Sequence, residues 1–321
     1  MKISKCLISY KVFSPLQLLN FLSFYNKNEK LYFKAIIFMD ESLFNSIDKS
    51  YIELCYQLKV EIQLKKFNAL ILKKNVYDIV FVSRINAYFW PQYYKSKSIC
   101  FDKIIIIDDG ISNYCNNLHV IKASLREGGL GGLIRFLITL NLNKILYSFN
   151  KNKIIEYSIF NKKNLQVNED YKNSFISILK LINRKDRGFE NGVVFCSQPL
   201  VELGITTEKK YIEEIISIRS KIEEMGYKLY VKKHPRENLV DYGKYSISMI
   251  DFDGIVEELF LNDSFYAVIS NCSTSSILIP ALFNTKSYVY DTKIIKNSGF
   301  LINQLFNKYC NDLDQFMLER E

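Results

Sequence analysis

The sequence predicts an α/β protein with two domains, each built on a parallel, doubly wound sheet. Short apolar runs rich in β-branched residues alternate with helical patterns along the whole chain, which is typical of parallel sheets. The chain has 321 residues, enough for two domains and too many for a single small core. A polar, charge-rich stretch at 161–191 interrupts the alternation, so we expect a linker there between domains at 1–160 and 192–321.

Four apolar runs define the strands of the first domain. The first helix is expected to begin at Ser14-Pro15, because Ser is a good N-cap and Pro a good first helical residue. A short helix at 175–182 is expected inside the linker. The predicted strands lie near 6–10, 32–39, 79–82 and 103–107.

The second domain repeats the same alternation. A strand at 192–196 precedes a helix at 208–225, whose apolar residues recur at helical spacing until Gly226 ends it. Two Rossmann-like halves joined by a linker, with a ligand cleft between them, are therefore the expected architecture. The later predicted elements are strands at 228–231, 247–250 and 266–269, a helix at 256–261, and a helix that begins in a run of Ser and Thr residues.

The excess of positive charge limits the classes of partner that the chain is expected to bind. The chain carries 43 Lys and Arg against 34 Asp and Glu, a net charge of +9. A basic surface suits phosphate-bearing ligands, anionic membranes or nucleic acid, although a merely Lys-rich solvated surface would look the same. The densest cluster is Lys232-Lys233 with Arg236, which is too small for a nucleic-acid arm. We therefore expect no nucleic-acid partner.

Cysteine and histidine usage indicates a cytoplasmic protein without a metal site. The seven cysteines are dispersed and form no CxxC pair, which is typical of a reducing compartment and of a chain without disulfides. The only two histidines, His119 and His234, have no ligand-type neighbours. Lys5 and Lys11 interrupt the apolar region that a signal peptide would need.

The most membrane-like stretch of the sequence is 129–149. Arg135, Asn141, Asn143 and Lys144 interrupt it, so we do not expect it to span a bilayer. A buried helix that follows a glycine loop is the favoured interpretation. The alternative is a peripheral helix that lies on a membrane or contacts a lipid-linked acceptor.

A pair of carboxylates follows the apolar run at 104–107. Ligands in open α/β sheets bind beyond the carboxyl ends of the strands. Asp108 and Asp109 occupy this position, and Gly110 permits a tight turn that would bring one carboxylate into the cleft. A polar turn after a buried strand would carry the same residues.

A basic loop follows the strand at 228–231. His234 lies there among three cations and is held by the following Pro235. Nearby positive charge disfavours the imidazolium unless an anion binds and stabilises it. This environment suits a phosphate site, and a surface histidine in a basic loop is the alternative.

A hydroxyl-rich run, Ser270-Asn271-Cys272-Ser273-Thr274-Ser275-Ser276, lies between a predicted strand and an apolar helix. Hydroxyls and free backbone N–H groups at a helix N-terminus form an anion site, assisted by the helix dipole. Simple N-capping needs only one Ser or Thr, and this run holds five hydroxyl residues in seven positions. The run therefore indicates a second anion-binding element in the same domain as the histidine loop.

The ordered set of Asp-Asp-Gly, His-Pro and a Ser/Thr run resembles the bacterial sialyltransferases of the GT-B type. Its spacing is most similar to glycosyltransferase family 52, the lipooligosaccharide and capsule sialyltransferases. The likeness covers most of the chain from about Asp108 onward, and the first hundred residues match only in pattern. It implies two Rossmann-like domains with parallel sheets facing a central cleft, the first on the acceptor side and the second binding the CMP-sugar.

The resemblance also implies a reaction and residue roles. It implies inverting transfer of sialic acid from CMP-sialic acid to a terminal sugar, with galactose as the expected acceptor, without metal or cofactor. His234 would donate to the departing phosphate of CMP, flanked by Lys233 and Pro235. The implied phosphate ligands are Ser273, Thr274 and Ser275, of which the family uses two.

Carboxylates would serve the nucleotide and the acceptor. Glu257 matches a family carboxylate that contacts the nucleotide, although an exposed helix glutamate would look the same. Asp109 is the first choice for the general base and Glu202 the second. In family 52 an aspartate can follow a proline at the place where this chain has Leu200, so the base stays open. The resemblance further suggests a homodimer.

Three other interpretations of the sequence compete with the sialyltransferase interpretation. Asp251-Phe252-Asp253 could be the DxD motif of a metal-dependent transferase, but it explains neither the histidine loop nor the Ser/Thr run. A related enzyme could use another donor sugar or make polysialic acid. A non-catalytic, basic protein could bind polyanions, which predicts salt-dependent polymer binding without selective affinity for CMP.

Overall fold

The chain forms two compact units, Met1–Asn183 and Arg184–Glu321, in the computed structural model. The structure describes residues 5–64, 76–82, 93, 101–108, 110, 114, 117–182, 188–189, 191–262, 264–290 and 299–318. The boundary between the units lies inside the stretch 161–191. Most of that stretch belongs to the first unit, however, and does not form a linker.

The first unit is built on a parallel sheet of six strands in the order β3-β2-β1-β4-β5-β6. The order reverses beside β1, as in a doubly wound fold. Four strands match predicted ones, whereas β3 and β6, the two edge strands, were not predicted. The strands are β1 (Lys5–Ser9), β2 (Lys34–Phe38), β3 (Val60–Gln63), β4 (Val76–Val82), β5 (Phe101–Ile107) and β6 (Ile154–Tyr157).

Helices cover this sheet. The predicted start of α1 is confirmed, since the Ser14 side chain accepts a hydrogen bond from the Gln17 N–H and Pro15 opens the helix. Short 3-10 turns at Glu29–Leu31 and Lys151–Lys153 complete the connections. The helices are α1 (Pro15–Asn28), α2 (Glu41–Ser46), α3 (Lys49–Gln57), α4 (Asn117–Asn150) and α5 (Glu169–Leu181).

Helix α5 explains why 161–182 is not a linker. It begins six residues before the predicted helix start, because the Asn168 side chain caps it by accepting the N–H groups of Asp170 and Tyr171. Its buried Tyr171 hydroxyl donates to Asn20 of α1 at 2.8 Å, and Phe175 is also buried. The helix is therefore part of the first unit's core.

Helix α4 corrects the favoured interpretation of 129–149. Gly129 breaks it with φ 56° and ψ −151°. Only 17% of the apolar window at Gly129–Lys153 is buried, so a buried core helix is wrong. By length and composition alone, this is the one helix of the described residues that could cross a membrane.

The second unit holds a parallel sheet of five strands in the order β11-β10-β9-β7-β8. The predicted strand at 247–250 is reduced to a single bridge between Met249 and Val231. The strands are β7 (Gly192–Cys196), β8 (Lys228–Lys232), β9 (Ala267–Ser270), β10 (Lys286–Val289) and β11 (Asn311–Asp312). The helices are α6 (Glu208–Glu224), α7 (Val256–Asn262), α8 (Thr274–Phe283), α9 (Phe300–Tyr309) and α10 (Leu313–Leu318).

Strand β7 has a core on each of its faces. Val193 and Phe195 point to the side covered by α6, and Val194 and Cys196 to the side covered by α7 and α8. This strict alternation follows from the two-residue period of a strand. Because β8 lies on one side of β7 and β9 on the other, the strand order reverses at β7, and the carboxyl ends of β7 and β9 flank the switch point.

Candidate functional site

The histidine loop leaves the sheet at the end of β8 and is held by its neighbour β7. The His234 N–H donates to the Ser197 Oγ at 2.9 Å, and Ser197 directly follows β7. The Arg236 N–H donates to the His234 Nδ1 at 3.1 Å. Since Nδ1 accepts this hydrogen bond, the proton of the neutral imidazole lies on Nε2, which remains a donor for a ligand.

The surroundings of His234 keep the imidazole neutral. Burial, followed by the charge of Arg236, lowers the pKa of His234 below its ordinary value, while the charge of Glu202 acts in the opposite direction. At neutral pH the group is therefore a hydrogen-bond donor through Nε2. A bound anion would raise the pKa and allow proton donation.

The buried carboxyl group of Glu237 supports the histidine loop through hydrogen bonds. Glu237 accepts hydrogen bonds from the hydroxyls of Ser197 and Tyr242, the latter at 2.7 Å. Its own N–H donates to the His234 carbonyl at 3.0 Å. Burial raises the pKa of Glu237. Sequence reasoning missed this network, and its one signal was a hydroxyl directly after a strand, at Ser197.

Glu202 also holds the histidine loop. Its Oε1 accepts the N–H groups of Asn238 at 2.6 Å and Leu239 at 2.8 Å. Burial works against the charged form, but these backbone donors and the charge of Lys233 outweigh it, and the pKa of Glu202 lies below its ordinary value. The Oε2 atom is buried and has no hydrogen-bond partner among the described residues. A low pKa makes this carboxylate a weak base.

The two lysines before His234 are engaged with the backbone of the same unit. Lys233 Nζ donates to the Val240 carbonyl at 3.3 Å, and Lys232 Nζ donates to the Phe252 carbonyl. Burial lowers the pKa of Lys232, against the nearby charges of Asp253 and Asp251. Thus the two carboxylates of the DxD-like sequence partly neutralise a half-buried lysine.

Pro235 follows His234 and is exposed at the surface of the loop.

In the described part of the chain, no group of three or more His, Cys, Asp or Glu residues could hold a metal ion.

The hydroxyl residues at the start of α8 differ in their hydrogen-bond partners and burial. Ser273 is the N-cap and accepts the Ser275 N–H at 3.3 Å. Ser276 is buried and shares a hydrogen bond with Ser270 at the end of β9. The Ser275 side chain is hydrogen-bonded to Glu257. Thr274, the first helical residue, is partly exposed.

Two buried polar groups lie around this helix start. Glu257 is only 3% exposed, and burial raises its pKa. It therefore supports Ser275 from inside and is not an exposed helix glutamate. Asn271 is buried too, and its Oδ1 lacks a hydrogen-bond partner among the residues that the structure describes.

Strand register brings the histidine loop and the hydroxyl run to one edge. Cys196 pairs with Lys232 on one side and with Ser270 on the other. Neighbouring strands lie about 4.8 Å apart, so the loops that follow β8 and β9 leave the sheet roughly 10 Å from each other. The loops that carry His234 and Ser273 thus leave the second sheet at the same edge.

The carboxylate motif lies in the first unit. Asp108 is buried, and its Oδ2 accepts the Tyr114 hydroxyl at 2.6 Å and the Ile159 N–H at 2.7 Å. These bonds fasten the end of β5 to the segment after β6, so a structural role accounts for Asp108. Gly110 is buried with φ 75°, a conformation that favours glycine. Asp109, the predicted base, lies outside the described residues.

Comparison with known proteins gives a family and a fold. A family model described as "Alpha-2,8-polysialyltransferase (POLYST)" matches residues 10–292. No curated protein matches the sequence significantly.

Two solved structures resemble the chain over nearly its full length. The glycotransferase of kitacinnamycin has a TM-score of 0.52 at 9% identity, over 99% of this chain and 89% of that one. The UDP-GlcNAc 2-epimerase of Methanocaldococcus jannaschii, in complex with UDP-GlcNAc and UDP, has a TM-score of 0.52 at 13% identity, over 98% of this chain and 91% of that one. At such identities the likeness shows the fold alone, and it confirms the predicted α/β fold of the GT-B type.

Proposed function

The chain belongs to the alpha-2,8-polysialyltransferase family, and from this premise we propose that it transfers sialic acid from CMP-sialic acid to the terminal sugar of a bacterial surface glycan. It is a glycosyltransferase of the sialyltransferase type. The observation that carries the proposal is the His234 imidazole, whose Nδ1 accepts a backbone N–H while its Nε2 stays free to donate.

The proposed step is a single inverting displacement. The oxygen of the acceptor hydroxyl attacks the anomeric carbon of sialic acid and forms the new glycosidic bond. The bond from that carbon to the phosphate oxygen of CMP breaks, and CMP leaves with the electron pair. The hydroxyl proton passes to a general base on the enzyme. The resemblance implies that no metal takes part.

The leaving phosphate would lie between His234 and the start of α8. The neutral imidazole donates through Nε2, and its pKa rises as negative charge develops on the phosphate. The positive end of the α8 helix dipole adds attraction for an anion. Glu257 and the Ser273 cap hold the first turn of the helix in place.

Asp109 remains the proposed general base. Glu202 is less suited to that role, since its Oε1 already accepts two backbone N–H groups and its pKa is lowered. We assign Glu202 instead to positioning of the histidine loop. Asp109→Asn should therefore remove transfer while CMP affinity is kept, whereas Glu202→Gln should weaken CMP binding as well.

The family points to an acceptor that itself ends in sialic acid. The name of the matching family model specifies alpha-2,8 linkage and a polymer, which favours growth of a polysialic acid chain. A terminal galactose, as in lipooligosaccharide, is the alternative acceptor, and membership of glycosyltransferase family 52 stays a prediction. So do a cytoplasmic location and a homodimer.

The test measures CMP release from CMP-sialic acid. Purified protein is incubated with matched acceptors that end in sialic acid or in galactose, with and without EDTA. We expect acceptor-dependent, EDTA-insensitive release that is greater with the sialylated acceptor. Release with galactose alone would favour the lipooligosaccharide-type reaction.

Two variants separate the roles of His234. His234→Ala should lower kcat by about 100-fold or more. His234→Gln keeps an N–H donor, so partial activity would indicate hydrogen bonding, and full loss would indicate proton transfer. Lys244→Ala, an exposed cation of the same unit, is the control. No release and no CMP binding would refute the proposal and favour another donor or a polyanion-binding protein.

A further inference from the structure

The outward face of α4 is an exposed stripe of large apolar side chains. Beyond the kink at Gly129, these residues recur at spacings of three, four and seven, apart from the adjacent pair Leu137 and Ile138, which places them on one side of the helix. They stand out from the exposed polar residues that normally cover the outer side of a crossover helix. The stripe consists of Leu130 (74% exposed), Ile134 (58%), Leu137 (41%), Ile138 (56%), Ile145 (52%) and Phe149 (83%).

The opposite face of the same helix is anchored in the first unit. Phe136, Leu140 and Asn143 are buried, and Tyr147 packs against the core cluster of the sheet. Apolar residues thus occur on both faces of α4, although packing against the sheet requires only one apolar face. The outer stripe of α4 leaves between 41% and 83% of each of its side chains exposed.

The charged residues within the helix segment that carries the stripe are all positive. The segment 129–153 contains Arg135, Lys144, Lys151 and Lys153 and no acidic residue. On a helical projection Arg135 and Lys144 fall on opposite flanks of the stripe, each about a quarter turn from its centre. An apolar face bordered by cations on both flanks matches the boundary between acyl chains and anionic headgroups.

The fold is compatible with a helix that lies on a membrane, but not with one that crosses it. Spanning would pull Phe136 and Leu140 out of the core. It would also displace β6, which begins directly after the helix and pairs with β5 from Ile104 to Ile107. A peripheral position keeps all of these contacts and immerses only the outer stripe.

We propose that the outer stripe of α4 docks the protein on the surface of an anionic bilayer, with the helix axis parallel to the membrane plane. Apolar side chains then enter the acyl boundary while Arg135 and Lys144 contact lipid phosphates. The proposal goes beyond sialic acid transfer and does not depend on it. A second copy of the chain would be a different occupant, but the cations on both flanks would face each other across such an interface and repel.

The experiment is flotation of the full chain with vesicles. Vesicles of phosphatidylcholine alone are compared with vesicles that contain phosphatidylcholine and phosphatidylglycerol in equal parts. We expect the protein to float with the anionic vesicles and to stay largely unbound with the neutral ones. Added salt should weaken binding without abolishing it, because the apolar contribution is not screened.

Matched variants locate the contact. The triple change Ile138→Gln, Ile145→Gln and Phe149→Gln should lower the vesicle partition coefficient by about tenfold or more. The double change Arg135→Gln and Lys144→Gln should lower it by a similar factor on anionic vesicles only. The control replaces Leu31, Phe33 and Tyr56, which are equally exposed in the same unit, by Gln and should bind like wild type.

Two outcomes would overturn the proposal. One is a wild-type protein that does not float with anionic vesicles, or a stripe variant that floats as well as wild type. The other is a lipid-free oligomer, measured by light scattering, that the stripe variant converts to monomer without any vesicle binding by wild type. CMP release with a soluble acceptor should be unchanged in the stripe variant, so this test and that of the proposed function fail separately.

Discussion

At the scale of single residues, the site depends on a histidine that the sequence identified and on supports that it did not. His234 was predicted because a lone histidine among cations after a strand suits an anion. Ser197 and Glu237 come from two separate loops and meet only in the folded chain. Their roles could not be predicted, since a Ser and a Glu in polar loops have no distinguishing pattern.

The titration of His234 gives the first prediction. Because burial and the charge of Arg236 lower its pKa, the ligand-free protein should show a midpoint below the ordinary value of 6.5 for one of its two histidines. CMP should shift that midpoint upward, since the phosphate stabilises the imidazolium. Proton NMR measures both, and His234→Ala identifies the signal. A midpoint at or above the ordinary value without ligand would contradict this account.

The second prediction concerns Glu237. Replacement by Ala leaves the hydroxyls of Ser197 and Tyr242 without their acceptor, which should lower the free energy of unfolding by about 2–4 kcal/mol. Glu237→Gln keeps the shape of the side chain and one acceptor oxygen, so it should lower the free energy of unfolding by less than Glu237→Ala does. Urea denaturation measures both variants.

The raised pKa of Glu237 fixes the sign of its pH dependence. The folded state holds the proton to higher pH than the unfolded state, so this stabilisation is complete below the ordinary pKa of 4.5 and is lost as pH rises through the folded pKa. Glu237→Gln should therefore gain stability relative to wild type as the pH rises above 4.5. The exposed Glu224→Gln is the reference variant, and equal pH dependence of stability in the two variants would contradict the prediction.

At the scale of elements, most helix starts were predicted, whereas the two edge strands of the first sheet were missed and α5 begins six residues before its predicted start. Capping is local, so the Ser14 cap could be predicted directly from the sequence. The Ser/Thr run located the start of α8 without identifying Ser273 as the cap. The missed strands β3 and β6 form the two edges of the first sheet and carry exposed or half-exposed residues such as Glu61 and Glu156. An edge strand needs fewer apolar residues, which removes the signal on which strand prediction depends.

The third prediction uses two glycines of α4. Gly129 has φ 56° and Gly131 is helical, and a Cβ atom would meet nothing within 4 Å at either position. Gly129→Ala should cost about 1–2 kcal/mol, because an L side chain disfavours that backbone conformation. Gly131→Ala should stabilise by about 0.5–1 kcal/mol, because Gly is a poor residue in a helix interior. Thermal unfolding of both variants measures the difference, and equal effects would show that the kink is not needed.

At the scale of the whole molecule, the site is assembled from three distant stretches of the second unit. If CMP binds at the carboxyl edge of β7, β8 and β9, amide exchange should slow at 196–198, 233–239 and 271–275 together. Hydrogen exchange with mass spectrometry gives this pattern in one experiment. An exposed helix end elsewhere in the unit, at residues 223–224, provides the internal control. Protection restricted to the first unit would contradict the assignment.

The sequence by itself determined the two-unit α/β organisation, most of the central strands, and the histidine and hydroxyl motifs. These features depend on local periodicity, capping and the rule that polar residues follow strand ends, all of which act over a few residues.

Only the tertiary structure decided that 161–182 belongs to the first unit, that Glu202 and Glu237 support the histidine loop, and that α4 exposes its apolar face. Each of these outcomes depends on which distant segments meet. Whether a side chain is buried, and which groups it hydrogen-bonds, depends on those distant segments and cannot be predicted from the neighbouring sequence alone.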